Sequence, residues 1–279
     1  MNTLVTGPTG MIGGVTLVLL IGAALGFALR KNTERSKVLT QDLSEPLDGI
    51  MAVKVEIDAG PGNLTIERLT GDESLLASGA LQYLESQGPP TRTLEASSGQ
   101  AMLTLSRGDI KRSGFHFPWA ACMVGAYEWM VRLNPTVLAE ITARSSGGNL
   151  KLDLTGIAVT HLLVDNGGGN VCVVLPDKAA DLSATVKTGG GKVTVSAGSD
   201  LTGSNAINAM SGAGSVEVYL PGEVEARIRA TSGLGKVSVD SRFSKIDAVT
   251  YESPGYERAA NKVEINLNSG AGSVRVVSK

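Results

Sequence analysis

One phrase recurs through the C-terminal half of this 279-residue chain: a polar residue, a glycine cluster, a small polar residue, and then apolar residues on alternate positions. Self-similarity at a period of about 20 to 50 residues predicts a repeat architecture, in which each unit buries its apolar face against its neighbours. The copies are SSGGNLKLDL near residue 145, NGGGNVCVVLP near 166, TGGGKVTVSAG near 188, SGAGSVEVYLP near 211, TSGLGKVSVDS near 231 and NSGAGSVRVVS near 268.

The spacing of the copies is nearly constant. The equivalent positions, separated by 21, 22, 23 and 21 residues, are Asn149, Asn170, Lys192, Ser215 and Lys236. The step to Ser273 is longer because residues 243–260 are inserted, and an earlier copy, AGPGNLTIERL, begins at Ala59.

Each copy has the pattern of two short strands joined by a tight turn. Val216, Val218 and Leu220 alternate with polar residues, which predicts one buried and one exposed face. Glycines allow φ > 0 where the chain reverses. A single hairpin is marginal in water, whereas stacked units bury a continuous core. The sequence therefore predicts an all-β repeat domain over residues 51–279, built either as a solenoid or as stacked hairpins.

The N-terminal stretch TLVTGPTGMIGG is locally similar to the phosphate-binding turn of NAD-dependent epimerases, through Gly7, Gly10 and Gly13. That turn requires a βαβ unit around it. The following residues 11–29 carry no charge, whereas a Rossmann helix has a polar outer face. Nineteen residues of helix span about 28 Å, close to the hydrocarbon thickness of a bilayer. No tyrosine has the lysine four residues later that is typical of those enzymes.

We therefore predict a tail over residues 1–10, a transmembrane helix over 11–30 and a juxtamembrane linker over 31–50. A remnant of a nucleotide-binding fold and a cleaved signal peptide are the alternatives. Basic residues follow the span and none precedes it, so the positive-inside rule predicts a cytoplasmic β domain, with an extracytoplasmic one as the alternative. Gly22 and Gly26 form a GxxxG pair that can pack two membrane helices, although glycine is common in such helices.

No catalytic, cofactor or metal constellation emerges from the sequence. His116 and His161 have no Cys, Asp or Glu at metal-ligand spacing, and His161 is predicted to face solvent. Cys172 lies in an apolar run and is predicted to be buried. TGGGKVTV imitates a phosphate loop, but Val193 stands where Ser or Thr would meet Mg²⁺. A net charge of −2 gives no basic surface for nucleic acid.

The segment GFHFPWAACMVGAYEW, residues 114–129, holds both tryptophans and two of the four phenylalanines. It predicts either a cap on the end of the repeat stack or a surface for a protein partner. Trp129 is predicted to be core. Phe115, Phe117 and Trp119 are the interface candidates.

From Tyr127 onward the chain resembles the toast-rack domain at the C-terminus of LiaF-like membrane proteins, and it shares the glycine phrase with adhesin-like β-repeat proteins. The matching stretches are EWMVRLNP (128–135), GGNLKLDLTGIAVTHLLVDNGGGNVCVVLP (147–176), SGAGSVEVYLPGEVEARIRATSGLGKVSV (211–239) and YERAANKVEINLNSGAGSVRV (256–276). The resemblance implies a toast-rack-like fold without enzymatic activity, acting in envelope-stress regulation through protein contacts. The alternatives are an adhesin-like surface protein and, last, a nicotinamide enzyme. Exposed edge strands could pair between two copies of the chain, so a homo-oligomer stays an open alternative.

Overall fold

The computed structural model of the chain describes residues 37–107 and 127–279. The predicted membrane helix with Gly22 and Gly26, and the candidate residues Phe115, Phe117 and Trp119, lie outside these ranges. Within them, no helix has the length and hydropathy needed to cross a membrane. The folded unit begins at Val38, so residues 38–50 of the predicted linker belong to it.

The described residues form 23 strands and two short 3-10 turns, Glu85–Gln87 and Tyr256–Arg258. The first nine strands are β1 (Val38–Pro46), β2 (Ala52–Asp58), β3 (Gly62–Arg68), β4 (Leu75–Leu84), β5 (Thr91–Ser97), β6 (Gln100–Ser106), β7 (Tyr127–Leu133), β8 (Leu138–Ser145) and β9 (Leu150–Asp153). The next seven are β10 (Val159–Asn166), β11 (Val171–Val174), β12 (Lys178–Ala180), β13 (Ser183–Gly190), β14 (Val193–Ser196), β15 (Asp200–Thr202) and β16 (Ser204–Ala213). The last seven are β17 (Val216–Leu220), β18 (Ala226–Ser232), β19 (Val237–Val239), β20 (Ser244–Lys245), β21 (Thr250–Glu252), β22 (Lys262–Ala271) and β23 (Val274–Ser278).

Two large sheets enclose the core, and the chain alternates between them. Sheet A has the strand order β1-β4-β7-β3-β9-β11-β14-β17-β23-β19. Sheet B has the order β20-β21-β18-β22-β16-β13-β10-β8-β2-β6-β5. The two strands of one glycine phrase lie in opposite sheets, and each pairs in parallel with the next copy. The domain is therefore a solenoid, and the stacked-hairpin alternative is excluded.

Each turn of the solenoid is called a coil here. In chain order the coils are coil 1 (β2, β3), coil 2 (β6, β7), coil 3 (β8, β9), coil 4 (β10, β11), coil 5 (β13, β14), coil 6 (β16, β17), coil 7 (β18, β19) and coil 8 (β22, β23). Their spatial order is 2-1-3-4-5-6-8-7, so the coils are interchanged at both ends of the stack.

The interchange uses the long connections of the chain. Coil 8 enters between coils 6 and 7, where β22 pairs with both β16 and β18. The inserted residues 243–260 provide the chain length for this return. Coils 3 to 6 follow one another at 21 to 23 residues and stack in sequence order. The step from coil 6 to coil 7 is also 21 residues, yet coil 8 lies between these two coils, so step length alone does not set the stacking order.

The core is a continuous apolar column between the sheets. Inward positions are occupied by Val, Leu, Ile and Ala, and the alternation predicted for Val216, Val218 and Leu220 is confirmed because all three are fully buried. Trp129 is buried as predicted, and its indole Nε1 donates to the carbonyl oxygen of Gln82 at 2.9 Å. The β-branched Val and Ile among them are the side chains that pack well on a pleated, buried surface.

Candidate interaction surfaces

The glycine turns stack into a column along one side of the solenoid. An added Cβ at each position after the first would lie 2.0 to 2.3 Å from the carbonyl oxygen of the turn beside it. In spatial order the column is Gly62, Gly148, Gly169, Gly191, Gly214, Gly272 and Gly235. Close backbone approach is therefore the shared reason for these glycines, and a positive φ is an additional one at Gly169 and three others.

Buried hydroxyls and amides line the inner side of this column. Thr188 Oγ1 lies 3.0 Å from the carbonyl oxygen of Gly169 in the preceding coil and 3.1 Å from that of Gly190 in its own turn. Asn166 makes the same type of bridge through Nδ2. These side chains donate to the Gly148 and Gly169 carbonyl oxygens in the turns. Thr188 adds a second donor to the Gly190 carbonyl, which also accepts the Gly169 N–H at 2.6 Å.

Two backbone N–H groups in the turn of TGGGKVTV already have partners in neighbouring coils. The Gly191 N–H donates to the Ala213 carbonyl at 2.8 Å, and the Lys192 N–H donates to Asn170 Oδ1 at 2.9 Å. In a phosphate loop, backbone N–H groups of this kind point at the ligand. These N–H groups hold the neighbouring coils together, which explains the motif structurally.

The outer face of sheet B carries a shallow depression of about 190 Å³ near the C-terminal coils. Its rim includes Met210, Arg229 and Thr231. Asn266 Nδ2 donates to Asn208 Oδ1 at 3.1 Å, so the amides are already paired across strands. These groups can bind a polar surface, but they offer no nucleophile and no acid–base pair.

The described residues include one histidine, His161, and one cysteine, Cys172. His161 is exposed as predicted, with Nδ1 at 3.8 Å from a carboxylate oxygen of Glu140. Cys172 was predicted to be buried, and this prediction is wrong: its thiol is free and exposed. In β11 only Val171 and Val173 point inward, so alternation places Cys172 outside although its neighbours are apolar. Among the described residues, no group of His, Cys, Asp and Glu could hold a metal ion.

The side chains of Phe243 and Arg242 cover the C-terminal end of the solenoid. Phe243 is buried against the core, and the Arg242 guanidinium carbon lies 4.3 Å from the centroid of its ring. Arg242 Nη2 donates to the carbonyl oxygen of Val224 at 2.8 Å and to that of Pro221 at 3.2 Å. Burial of this guanidinium lowers the pKa of Arg242 from its ordinary value. Strands β21 and β20 extend sheet B antiparallel over this end.

The N-terminal end of the solenoid is built from antiparallel strands. Sheet A is extended past coil 2 by β4 and β1, and sheet B by β5. Arg92 Nε lies 3.0 Å from a carboxylate oxygen of Glu45, so one ion pair joins β5 of sheet B to β1 of sheet A. Inward-pointing charge of this kind discourages unspecific pairing of sheet edges.

The aromatic segment predicted as cap or partner surface is described only at its C-terminal end. The ring of Tyr127 lies below Arg107, with the guanidinium carbon 5.7 Å from the ring centroid. Burial raises the pKa of the Tyr127 hydroxyl. Phe115, Phe117 and Trp119 lie outside the described residues, so both alternatives stay predictions. Arg107 and Tyr127 themselves belong to coil 2, at the N-terminal end of the stack.

Comparison with protein-family models covers most of the chain. The model described as the N-terminal domain of toast_rack matches residues 30–196. The model described as the C-terminal region of LiaF, of the cell wall-active antibiotics response, matches residues 199–276. The boundary falls between β14 and β15, where β13 pairs with β16 and β14 with β17. The two matches therefore lie along one continuous solenoid and not on two separate folds.

A solved structure has the same fold as this chain. A "putative cell adhesion protein" from Clostridium sporogenes is 22% identical with a TM-score of 0.62, over 87% of this chain and 100% of that chain. A "putative adhesin" from Bacteroides fragilis is 9% identical with a TM-score of 0.28, over 86% of this chain and 97% of that one, and supports no argument. The likeness to the first structure shows the fold alone. No curated protein matches the chain.

Proposed function

Because the toast-rack model covers more than half of the sequence, the chain belongs to the toast-rack family, and from that premise we propose a regulatory protein of the cell-envelope stress response. In this proposal the protein is non-enzymatic, is anchored by one membrane helix over residues 11–30, and acts through protein contacts. The observation that carries it is the match of residues 199–276 to the C-terminal region of LiaF.

The described surface is consistent with a binding role. The glycine motif that imitates a phosphate loop has its N–H groups occupied by neighbouring coils. The depression on sheet B is shallow, and its amides are paired across strands. Long, regular β surfaces of this type offer area for contacts between proteins, and stacked repeats commonly use such area.

The membrane anchor is supported by the uncharged residues 11–29 and by the basic residues that follow them. The same charges support a cytoplasmic β domain. Gly22 and Gly26 would allow two such helices to approach closely, which is a route to a homo-oligomer. The nicotinamide alternative requires a soluble protein whose Gly7, Gly10 and Gly13 bind a cofactor.

We further propose Phe115, Phe117 and Trp119 as candidates for the protein contact, because aromatic side chains dominate binding hot spots. The double variant Phe117→Ala/Trp119→Ala is expected to keep the thermal unfolding curve of the protein and to lose a partner in affinity capture. A large drop in melting temperature would instead identify the segment as a cap on the end of the stack.

An extracytoplasmic adhesin-like surface protein is the second candidate function. The observation that favours it is the fold shared with the structure described as a "putative cell adhesion protein". This candidate places the β domain on the other side of the membrane, so membrane topology separates the two.

The test is protease accessibility of a C-terminal tag in intact and in lysed cells, together with membrane fractionation. The regulatory proposal predicts membrane association, protection in intact cells and cleavage after lysis. Cleavage in intact cells would favour the adhesin-like candidate. Recovery in the soluble fraction with saturable NADPH binding would overturn both candidate functions. It would favour the alternative in which TLVTGPTGMIGG is a nucleotide-binding turn.

A further inference from the structure

The four free edges of the two sheets differ strongly in length. At the C-terminal end the described edges are β19 with three residues and β20 with two. At the N-terminal end they are β1 with nine residues and β5 with seven. Short edge strands are a common protection against pairing with other chains, whereas long ones present rows of unpaired N–H and C=O groups.

Strand β5 is the most open of these edges. Six of its seven residues are exposed, and only Leu94 is half-buried. The strand contacts the rest of the sheet along one side, through its antiparallel pairing with β6. Its other side is free in the described part of the chain. The strand has no proline and no bulge, and its one inward charge, Arg92, is paired with Glu45.

Sheet A runs one strand further than sheet B at this end. Beyond coil 2, sheet A adds β4 and β1, while sheet B adds β5 alone. The inward side chains of β1 reflect this overhang, because Leu43 and Glu45 are buried while Leu39 and Gln41 are half-covered. Gln41 Oε1 is buried and accepts no hydrogen bond from the described residues, which is costly until a donor reaches it.

We propose that β5 accepts one extended strand from a partner protein, which completes sheet B opposite β1. Strand addition to an exposed edge uses main-chain hydrogen bonds for affinity and alternate side chains for specificity. The inward side chains of the added strand would cover Leu39 and Leu94 and bring a hydroxyl or amine within reach of Gln41.

The chemistry of the added strand follows from the outward row of β5. That row is Thr91, Thr93, Glu95 and Ser97, so its one charge is Glu95. Arg92 points inward and is engaged by Glu45. The partner strand therefore carries Lys or Arg on its outward positions, since opposite charges pair favourably across strands.

A second copy of this chain fits the edge less well than a single strand from another protein. Joining β5 to β5 would bring the overhanging β1 of each copy against β4 of the other. The overhang that leaves space for one strand thus opposes a continuous symmetric sheet. The proposal concerns only the folded unit and is independent of the side of the membrane on which it lies.

The experiment uses the full chain in detergent micelles and the acetylated, amidated peptide KVKTKVK as the probe. Hydrogen exchange measured by mass spectrometry reports on residues 91–97. We expect excess peptide to slow the exchange of about half of the β5 amides at least fivefold, because alternate amides point to the free edge. The control peptide KPKTKPK has the same charge but cannot form a strand, and it should leave β5 unchanged.

Charge variants test the specificity. Glu95→Lys is expected to weaken binding of KVKTKVK at least fivefold and to strengthen binding of the peptide EVETEVE. The control is Asp200→Lys, which replaces an exposed acidic residue on β15 and should change the binding of neither peptide. Equal protection by KPKTKPK, or no protection of residues 91–97, would overturn the proposal. Protection of the β5 amides in the absence of peptide would also overturn it. Protection that rises with protein concentration would identify a second copy as the occupant of the edge. Protection that does not depend on protein concentration would identify a segment of the same chain.

Discussion

The two ends of the solenoid cover their apolar end layers in different ways. Every stack of coils exposes an apolar end layer, and here the C-terminal layer is covered by Phe243, by Arg242 and by two short antiparallel strands. The N-terminal layer is flanked by long antiparallel strands and by the ion pair of Arg92 with Glu45. One end is sealed by side chains, and the other keeps backbone edges available.

The contrast shows that closing a core and closing a sheet edge are separate tasks. Phe243 removes apolar surface from water, whereas the three residues of β19 leave too little edge for another chain to pair with. At the N-terminal end Leu43 and Leu81 are buried, so the core is closed there too, yet β5 stays free along its outer side. A protein that binds through its backbone needs this combination of a closed core and an open edge.

The largest expected effect comes from breaking the glycine column that joins the two ends. Gly169→Ala would place Cβ 2.1 Å from the Gly148 carbonyl oxygen at a φ of 108°. We expect a loss of about 3 kcal/mol or more in the free energy of unfolding, since both strain and overlap must be relieved. The matched control is Gly168→Ala in the same turn, where nothing lies within 4 Å of the added Cβ.

Urea unfolding followed by circular dichroism measures both glycine variants. The control is expected to stay within about 0.5 kcal/mol of the parent. Equal stability of the two variants would show that the turns are not closely stacked. It would contradict a glycine column that runs from one end of the solenoid to the other.

The second prediction compares the two end layers directly. Phe243→Ala removes a buried ring at the C-terminal end and is expected to cost about 3 to 4 kcal/mol. Leu94→Ala at the N-terminal end removes a half-buried side chain and should cost about 1 kcal/mol. Thermal unfolding of both variants gives the comparison. A larger loss for Leu94→Ala than for Phe243→Ala would contradict this ranking of the two end layers.

The third prediction compares the two arginines. Arg242→Ala removes the donor of the Gly222 and Val224 carbonyl oxygens and one of the two donors of the Pro221 carbonyl oxygen, and about 2 kcal/mol of stability should be lost. Arg92→Ala breaks one ion pair in which the Arg92 side chain is 38% exposed and the Glu45 side chain only 9%. The variant leaves that buried carboxylate without its partner, so a loss of about 1 to 3 kcal/mol is expected, of the same order as the loss at Arg242. Denaturant midpoints measure both losses, and a loss below about 0.5 kcal/mol for Arg92→Ala would show that the ion pair does not hold β5 to β1.

The smallest effect concerns the outer surface between the ends. Glu217 accepts a hydrogen bond from Lys192 of the neighbouring coil, and this contact lowers the pKa of the Glu217 carboxyl. Its stabilising contribution is therefore present above pH 4.5, the ordinary pKa of a glutamate, and is lost as the pH falls through the lowered value. The expected contribution is less than about 1 kcal/mol.

Stability measured between pH 3 and 6 tests this contact, with Glu217→Gln as the control that removes the titrating group. The parent protein should lose slightly more stability on acidification than the variant does. Parallel curves for the two proteins would show that the ion pair contributes nothing to the folded state.

The repeat phrase was sufficient to predict a stacked β-repeat domain, because alternation and glycine turns are local features. It left the solenoid and the stacked hairpins as alternatives, because the parallel pairing between copies that decides for the solenoid is not a local feature. It could not predict the interchanged coils, since the phrase around Lys236 looks like that around Ser215 although coil 7 lies one strand further out. Cys172 was misplaced because an all-apolar strand hides which face is outward. Strand β1, VLTQDLSEP, was missed because its polar residues gave it the appearance of a linker.

The central claim is that the N-terminal edge is open while the C-terminal end is sealed, and native-state hydrogen exchange of the full chain without any peptide tests it most directly. We predict that about half of the amides of β5 exchange rapidly, because they face the free edge, while those of β18, held between β22 and β21, exchange slowly. Protection of β5 equal to that of β18 would contradict the account.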